Sequence, residues 1–146
     1  MLNQFRVPLI FLFIGSLLGV FLRWQFIDTT PGITYTYFLH AHSHIMFLGW
    51  VFNALYLGFC YNHLPARETP FLRNLFFVLQ ILMVGMLVAF PLQGYGFYSI
   101  LFSTLHTVCA AIFIVKFFRE TKTATTVSVL LARIAMVFFA ISTIWP

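Results

Sequence analysis

Long runs without charge decide what this chain can become. About five stretches of nearly 20 residues, almost free of Asp, Glu, Lys and Arg, follow one another with only short polar breaks. A helix needs about 20 mostly apolar residues to cross a hydrocarbon core of about 30 Å, and it satisfies all its backbone polar groups while doing so. The sequence therefore predicts an all-α, polytopic transmembrane helical bundle of about five spans, with residues 1–146 as a single domain. Composition agrees: 62% of residues are apolar and 20% aromatic, and the mean hydropathy is +0.98. That leaves little material for a soluble domain.

The spans are expected at about residues 7–26, 37–61, 75–90, 97–118 and 127–145. The breaks between them carry turn chemistry: Pro31-Gly32 in "IDTTPGITYT", two prolines in "NHLPARETPFLRN", Pro91 followed by "LQGYG", and "RETKTATT". Pro91 is expected to stop the third helix. The first run follows Arg6, but it is long and lacks a small-residue cleavage site, so it reads as a retained helix and not a signal peptide. No internal repeat or low-complexity tract is present. The 20 phenylalanines read as lipid-facing bulk.

The formal charge of +5 does not point to nucleic acid, because the basic residues stand singly at helix ends, where topology accounts for them. With five alternating spans, Arg6, Arg67, Arg73, Lys116, Arg119 and Lys122 fall on one side and Arg23 near the other. The positive-inside rule then makes the amino terminus cytoplasmic, in the inner membrane of a bacterium. The end "STIWP" emerges on the far side with no polar tail. Trp145 anchors it at the interface, or the chain is a fragment or one piece of a larger assembly. The expected partners are the lipid bilayer and either other membrane subunits or a second copy. Cys60 and Cys109 lie roughly 16 Å apart along the membrane normal at 1.5 Å per residue, so no disulfide is expected and both read as packing residues.

The chemistry lies in "YFLHAHSHIMFLGWV", where three histidines alternate at the head of an apolar run. At about 100° per residue, His40 and His44 share one face of a helix and His42 points nearly opposite. Neighbouring ligands would diverge, which does not suit a compact three-ligand zinc site. The three rings sit about 5 to 10 Å below the outer surface, and His106, on the fourth helix, about 13 Å below it. Imidazoles from two helices at one level are the arrangement that holds a haem iron in a helical bundle. The plainer alternative is that such a histidine hydrogen-bonds across to another helix. His63 reads as a loop residue at the cytoplasmic interface.

In "IGSLLGVFLRWQF", Arg23 follows Gly15 and Gly19 at intervals of four, on the face the glycines leave smooth for a close helix. That alignment suggests a buried anionic partner such as a haem propionate; the alternative is that Arg23 and Trp24 mark the outer interface. Arg133, early in the fifth span, is close enough to snorkel back to the cytoplasmic surface.

Together these two stretches resemble the first two helices of subunit I of the haem-copper oxidases. In that family the first helix carries glycines and then an arginine followed two positions on by Glu or Gln; here these are Gly15, Gly19, Arg23 and Gln25. The family's second helix reads approximately Ala-His-Gly-x-x-Met-x-Phe, and its histidine is an axial ligand of the low-spin haem. This chain has "AHSHIMF", with Ser43 in place of the glycine. The resemblance implies that His42 is a ligand, that Met46 lies one turn below it, and that Arg23 contacts the haem.

The face-and-depth reading instead pairs His40 or His44 with His106, so the second ligand stays open: His106, or a histidine on another chain or segment. The leading expectation is a haem-binding membrane protein of respiratory electron transfer, with a b-type haem. It is not expected to reduce oxygen alone, because the family's remaining ligands come from later helices. The alternatives are a cofactor-free structural subunit, or a copper or quinone site built on His40, His42 or His44. A transporter fits less well, since carboxylates are almost missing from the spans.

Overall fold

A computed structural model describes residues 2–64 and 70–143, all of them in helices or short connections and none in strands. Arg67, Glu68 and Trp145 lie outside the described residues. After a short 3-10 turn, Leu2–Phe5, come α1 (Arg6–Trp24), α2 (Tyr35–His63), α3 (Pro70–Gln93), α4 (Phe97–Glu120) and α5 (Val127–Ser142). The helices α1 to α4 are long and apolar enough to cross a membrane, whereas the 16 described residues of α5 are fewer than a span needs.

Two boundaries differ from expectation for identifiable reasons. Helix α3 starts at Pro70, where a residue without an N–H costs nothing in the first turn. It also runs through Pro91 to Gln93, because only one backbone bond is lost so near the end. The stop is set by Gly94, whose φ is +59° and whose N–H donates to Phe90 O at 2.8 Å. A Cβ there would run into the ring of Tyr37, so both conformation and space require glycine. His63 is not a loop residue but the last residue of α2, its ring near Phe59 and Phe117.

Helix α2 is central and not uniform. Its middle, Ile45–Phe52, is a π-helix between the α-helical halves Tyr35–His44 and Asn53–His63. On one side α1 crosses it closely at two glycines: a Cβ on Gly15 would meet Met46 and Ile45, and one on Gly49 would lie 3.0 Å from the Phe11 ring. On the other side, Asn53 and Gln80 of α3 exchange two amide hydrogen bonds of 2.9 and 3.1 Å. Asn53 Nδ2 also donates to Gly49 O in the π segment, at 2.8 Å.

Two apolar cores result. One lies between α1, α2 and α3 around Phe11, Ile45, Met83 and Phe90. The other joins α2 to α5 around Tyr56, Phe76, Phe113, Phe117 and Met136, with Tyr56 donating to Leu72 O at 2.8 Å.

The basic residues gather at one end. Arg6 opens α1, Arg73 lies in the first turns of α3, Lys116 and Arg119 close α4, Lys122 follows it, and Arg133 belongs to α5. Among the described residues, Arg23 is the one Lys or Arg toward the opposite end. Lys116 pairs with Glu120 at 2.8 Å. Arg133 does not simply snorkel to the surface: it donates to Thr121 O and Oγ1 and lies 5.8 Å from the Phe118 ring. It thereby adds a side-chain donor to a carbonyl that also accepts from Ala124 N at 3.0 Å, tying α5 to the turn after α4. Both cysteines are free thiols.

Candidate functional site

The π segment begins one residue after His44, so the three histidines sit on regular helix, and the 100° increments send them to different neighbours. His42 faces α1. Its Nδ1 lies 2.9 Å from Gly15 O, and because a carbonyl only accepts, Nδ1 carries the proton. In the neutral ring Nε2 then bears the lone pair, and no hydrogen bond engages it. The ring lies against Gly19, where a Cβ would come 3.1 Å from His42 Cε1. Met46, one turn further, fills the notch at Gly15.

His40 and His44 face the opposite side. The His40 ring sits edge-on to Tyr95, with centroids 4.4 Å apart, and His44 lies 4.4 Å from Phe90. His44 Nδ1 donates to His40 O at 3.0 Å, which leaves the Nε2 lone pair of its neutral form free as well. His106 is 1% exposed and packs edge-on against Phe52. Its Nε2 is buried without a hydrogen-bond partner among the described residues.

His42 therefore meets α1 through Gly15 O, whereas His106 meets α2 through the Phe52 ring. Arg23 shares the glycine face and is exposed, and no ion pair to it is formed among the described residues. Its neighbour in the motif, Gln25, is spent on structure, holding Thr30 through two bonds of 3.0 Å. Among the described residues no three His, Cys, Asp or Glu side chains converge as a metal site requires.

Beside His44 a groove of about 340 Å³ runs between α2, α4 and α5. Its walls are mostly apolar. Its polar side chains are Ser43, His44, Ser142 and Thr143 at one end and Tyr56 further down.

The histidine pattern gave no hint of the Asn53–Gln80 pair or of this groove. The former had a visible signal, an Asn and a Gln deep in apolar spans, where uncompensated amides are costly. The latter had none, since it depends on how α5 leans against α2.

No family model, curated protein or solved structure matches the chain. Its class rests on its own coordinates: an all-helical protein whose long apolar helices suit a membrane.

Proposed function

We propose that the chain is a haem-binding component of a respiratory electron-transfer complex, similar to the low-spin haem region of haem-copper oxidase subunit I, with His42 as an iron ligand. One observation supports this above the rest: the His42 ring is held through Nδ1 by Gly15 O at 2.9 Å, with the Nε2 lone pair unspent. Metal-ligating imidazoles are held through their other nitrogen in this manner, which fixes tautomer and direction together. Gly19 contributes the bare floor that lets the ring lie flat, since a Cβ would press on Cε1. Exposed Arg23, two turns beyond Gly15 on the same helix, offers a cation to the carboxylates that a haem carries.

Haem, when bound, supplies one-electron chemistry, with its potential set by axial ligands and burial. The chain's own contribution is to orient a neutral imidazole, to exclude water with the apolar α1–α2 surface, and to neutralise acid groups at Arg23. A second ligand nitrogen would come from outside the described residues, on another subunit or a second copy, since His42 faces α1 and His106 packs against Phe52. The basic end faces the cytoplasm by the positive-inside rule, in a bacterial inner membrane that five spans cross.

The test is an absorption spectrum of the full chain, purified after expression with haem supplied and titrated with free imidazole to fill the second axial position. The wild type shows a Soret band that His42→Ala removes and His106→Ala leaves intact. No band, or a band unchanged in His42→Ala, refutes the proposal. A cofactor-free structural role has one observation in its favour, since the His42–Gly15 bond also clamps α1 to α2. That reading gives weaker helix association in His42→Ala with no optical change.

A further inference from the structure

The groove beside His44 has a polar end of one chemical sense. Ser43 Oγ donates to Leu39 O at 2.9 Å, His44 Nδ1 to His40 O at 3.0 Å, Ser142 Oγ to Phe139 O at 2.7 Å and Thr143 Oγ1 to Ala140 O at 2.8 Å. Tyr56, further down, has likewise given its hydrogen to Leu72 O. Every lining hydroxyl and the His44 ring N–H is spent on a backbone carbonyl, and no Lys, Arg, Asp or Glu lines the groove. What remains facing inward are lone pairs: the His44 Nε2 and the hydroxyl oxygens.

Such an end suits a donor and rejects an acceptor. A phosphate head would meet neither cation nor N–H there. An oxidised quinone, whose ring oxygens only accept, would leave its own carbonyls and the site's lone pairs unsatisfied in a place without water. A ring bearing two hydroxyls satisfies both.

The rest of the groove fits a tail. From Ser43 to Phe59 it follows α2 for about 24 Å at 1.5 Å per residue, most of the hydrocarbon thickness. Phe47, Val51 and Leu55 are exposed along it, so it opens to lipid. Midway along it Phe52 and Phe139 are stacked on each other, with centroids 5.0 Å apart, forming part of the aromatic wall. An independent sign of unmet polar demand lies against Phe52, where His106 Nε2 is buried with no hydrogen-bond partner among the described residues.

We infer that this groove binds a prenylated hydroquinone in its reduced form, with a ring hydroxyl donating to His44 Nε2 and the chain lying along α2 between α4 and α5. This site is on the opposite side of α2 from His42 and does not depend on haem there.

The test uses the full chain in phosphatidylcholine nanodiscs under anaerobic conditions, with decylhydroquinone and decylquinone as probes that differ only in hydrogen-bond sense. Hydroquinone is expected to bind at least about tenfold tighter, the factor set by one satisfied against one stranded hydrogen bond. His44→Leu removes that preference, and Ala135→Trp, which fills the groove, abolishes binding of both. Equal or tighter binding of the quinone to the unmodified chain overturns the inference, as does failure of either probe to displace phosphatidylcholine, which would mark the groove as a bed for ordinary lipid tails. The wild-type comparison needs no variant, so a misfolded mutant leaves the result decisive.

Discussion

Replacing Asn53 with leucine measures how far the α2–α3 contact rests on one amide pair. Asn53 is 0% exposed, and its side chain exchanges bonds of 2.9 and 3.1 Å with Gln80 and donates to Gly49 O at 2.8 Å. Leucine has nearly the same volume, so the outcome turns on what is stranded. Gln80 keeps its bond to Phe76 O at 2.8 Å, but its Oε1 loses its donor inside the bundle. An unpartnered buried group costs about 1–3 kcal/mol, whereas removing both partners together is close to neutral. Interhelical hydrogen bonds in membranes average about 0.6 kcal/mol and reach about 1.7. A reciprocal pair closed off from lipid at Asn53 belongs near the top, so about 1.5 kcal/mol of coupling is expected. Asn53→Leu and Gln80→Leu should each cost about 2 kcal/mol and the double variant about 2.5, well short of additive. Unfolding of the purified chain by dodecyl sulfate in maltoside micelles, followed through tryptophan fluorescence, gives all three values. Additivity to within about 0.3 kcal/mol would refute the amide pair as a coupled unit.

Other substitutions separate neighbouring causes. Gly15→Ala should destabilise the α1–α2 crossing by about 2 kcal/mol, because the fully buried, β-branched Ile45 with a methyl 2.9 Å from the new Cβ cannot move aside. Gly19→Ala should cost less than half as much, since its nearest contact is the edge of the His42 ring at 3.1 Å; the same unfolding assay ranks them. Tyr56→Phe removes the bond to Leu72 O and should cost about 1 kcal/mol; no measurable change would show that bond to be idle. Arg133→Met keeps the apolar stem but removes the bonds that tie α5 to Thr121, and should speed tryptic cleavage after Lys122 severalfold as α5 loosens from α4.

Much of the fold was legible because apolar run length fixes span length. The histidine faces were also legible, since 100° per residue sends His42 one way and His40 and His44 the other, whatever lies around them. The partners of those faces were not. Whether α1 or α4 lies against His42 depends on the order of helices around α2, and nothing in the helix's own sequence carries that order. Arg23 shows the same limit: its spacing from Gly15 and Gly19 sets its direction, but not whether anything covers it. Pro91 misled because the cost of a helical proline depends on how many turns remain. The π segment had no proline or glycine pair to announce it; what accompanies it, the close approach of Phe11 to Gly49 and the Asn53 amide on Gly49 O, is tertiary or local detail that no spacing signals.

That segment has one more consequence. Each π turn holds a residue more than an α turn, so the two halves of α2 run out of phase, and His44 and Tyr56 reach neighbours that a regular spiral would not offer them. Trimming a single residue between positions 45 and 52 would bring the halves back into step and swing the whole Asn53–His63 limb around its axis. A missing codon there would do more harm than most replacements, since it would turn Asn53, Tyr56 and Cys60 away from their seats all at once.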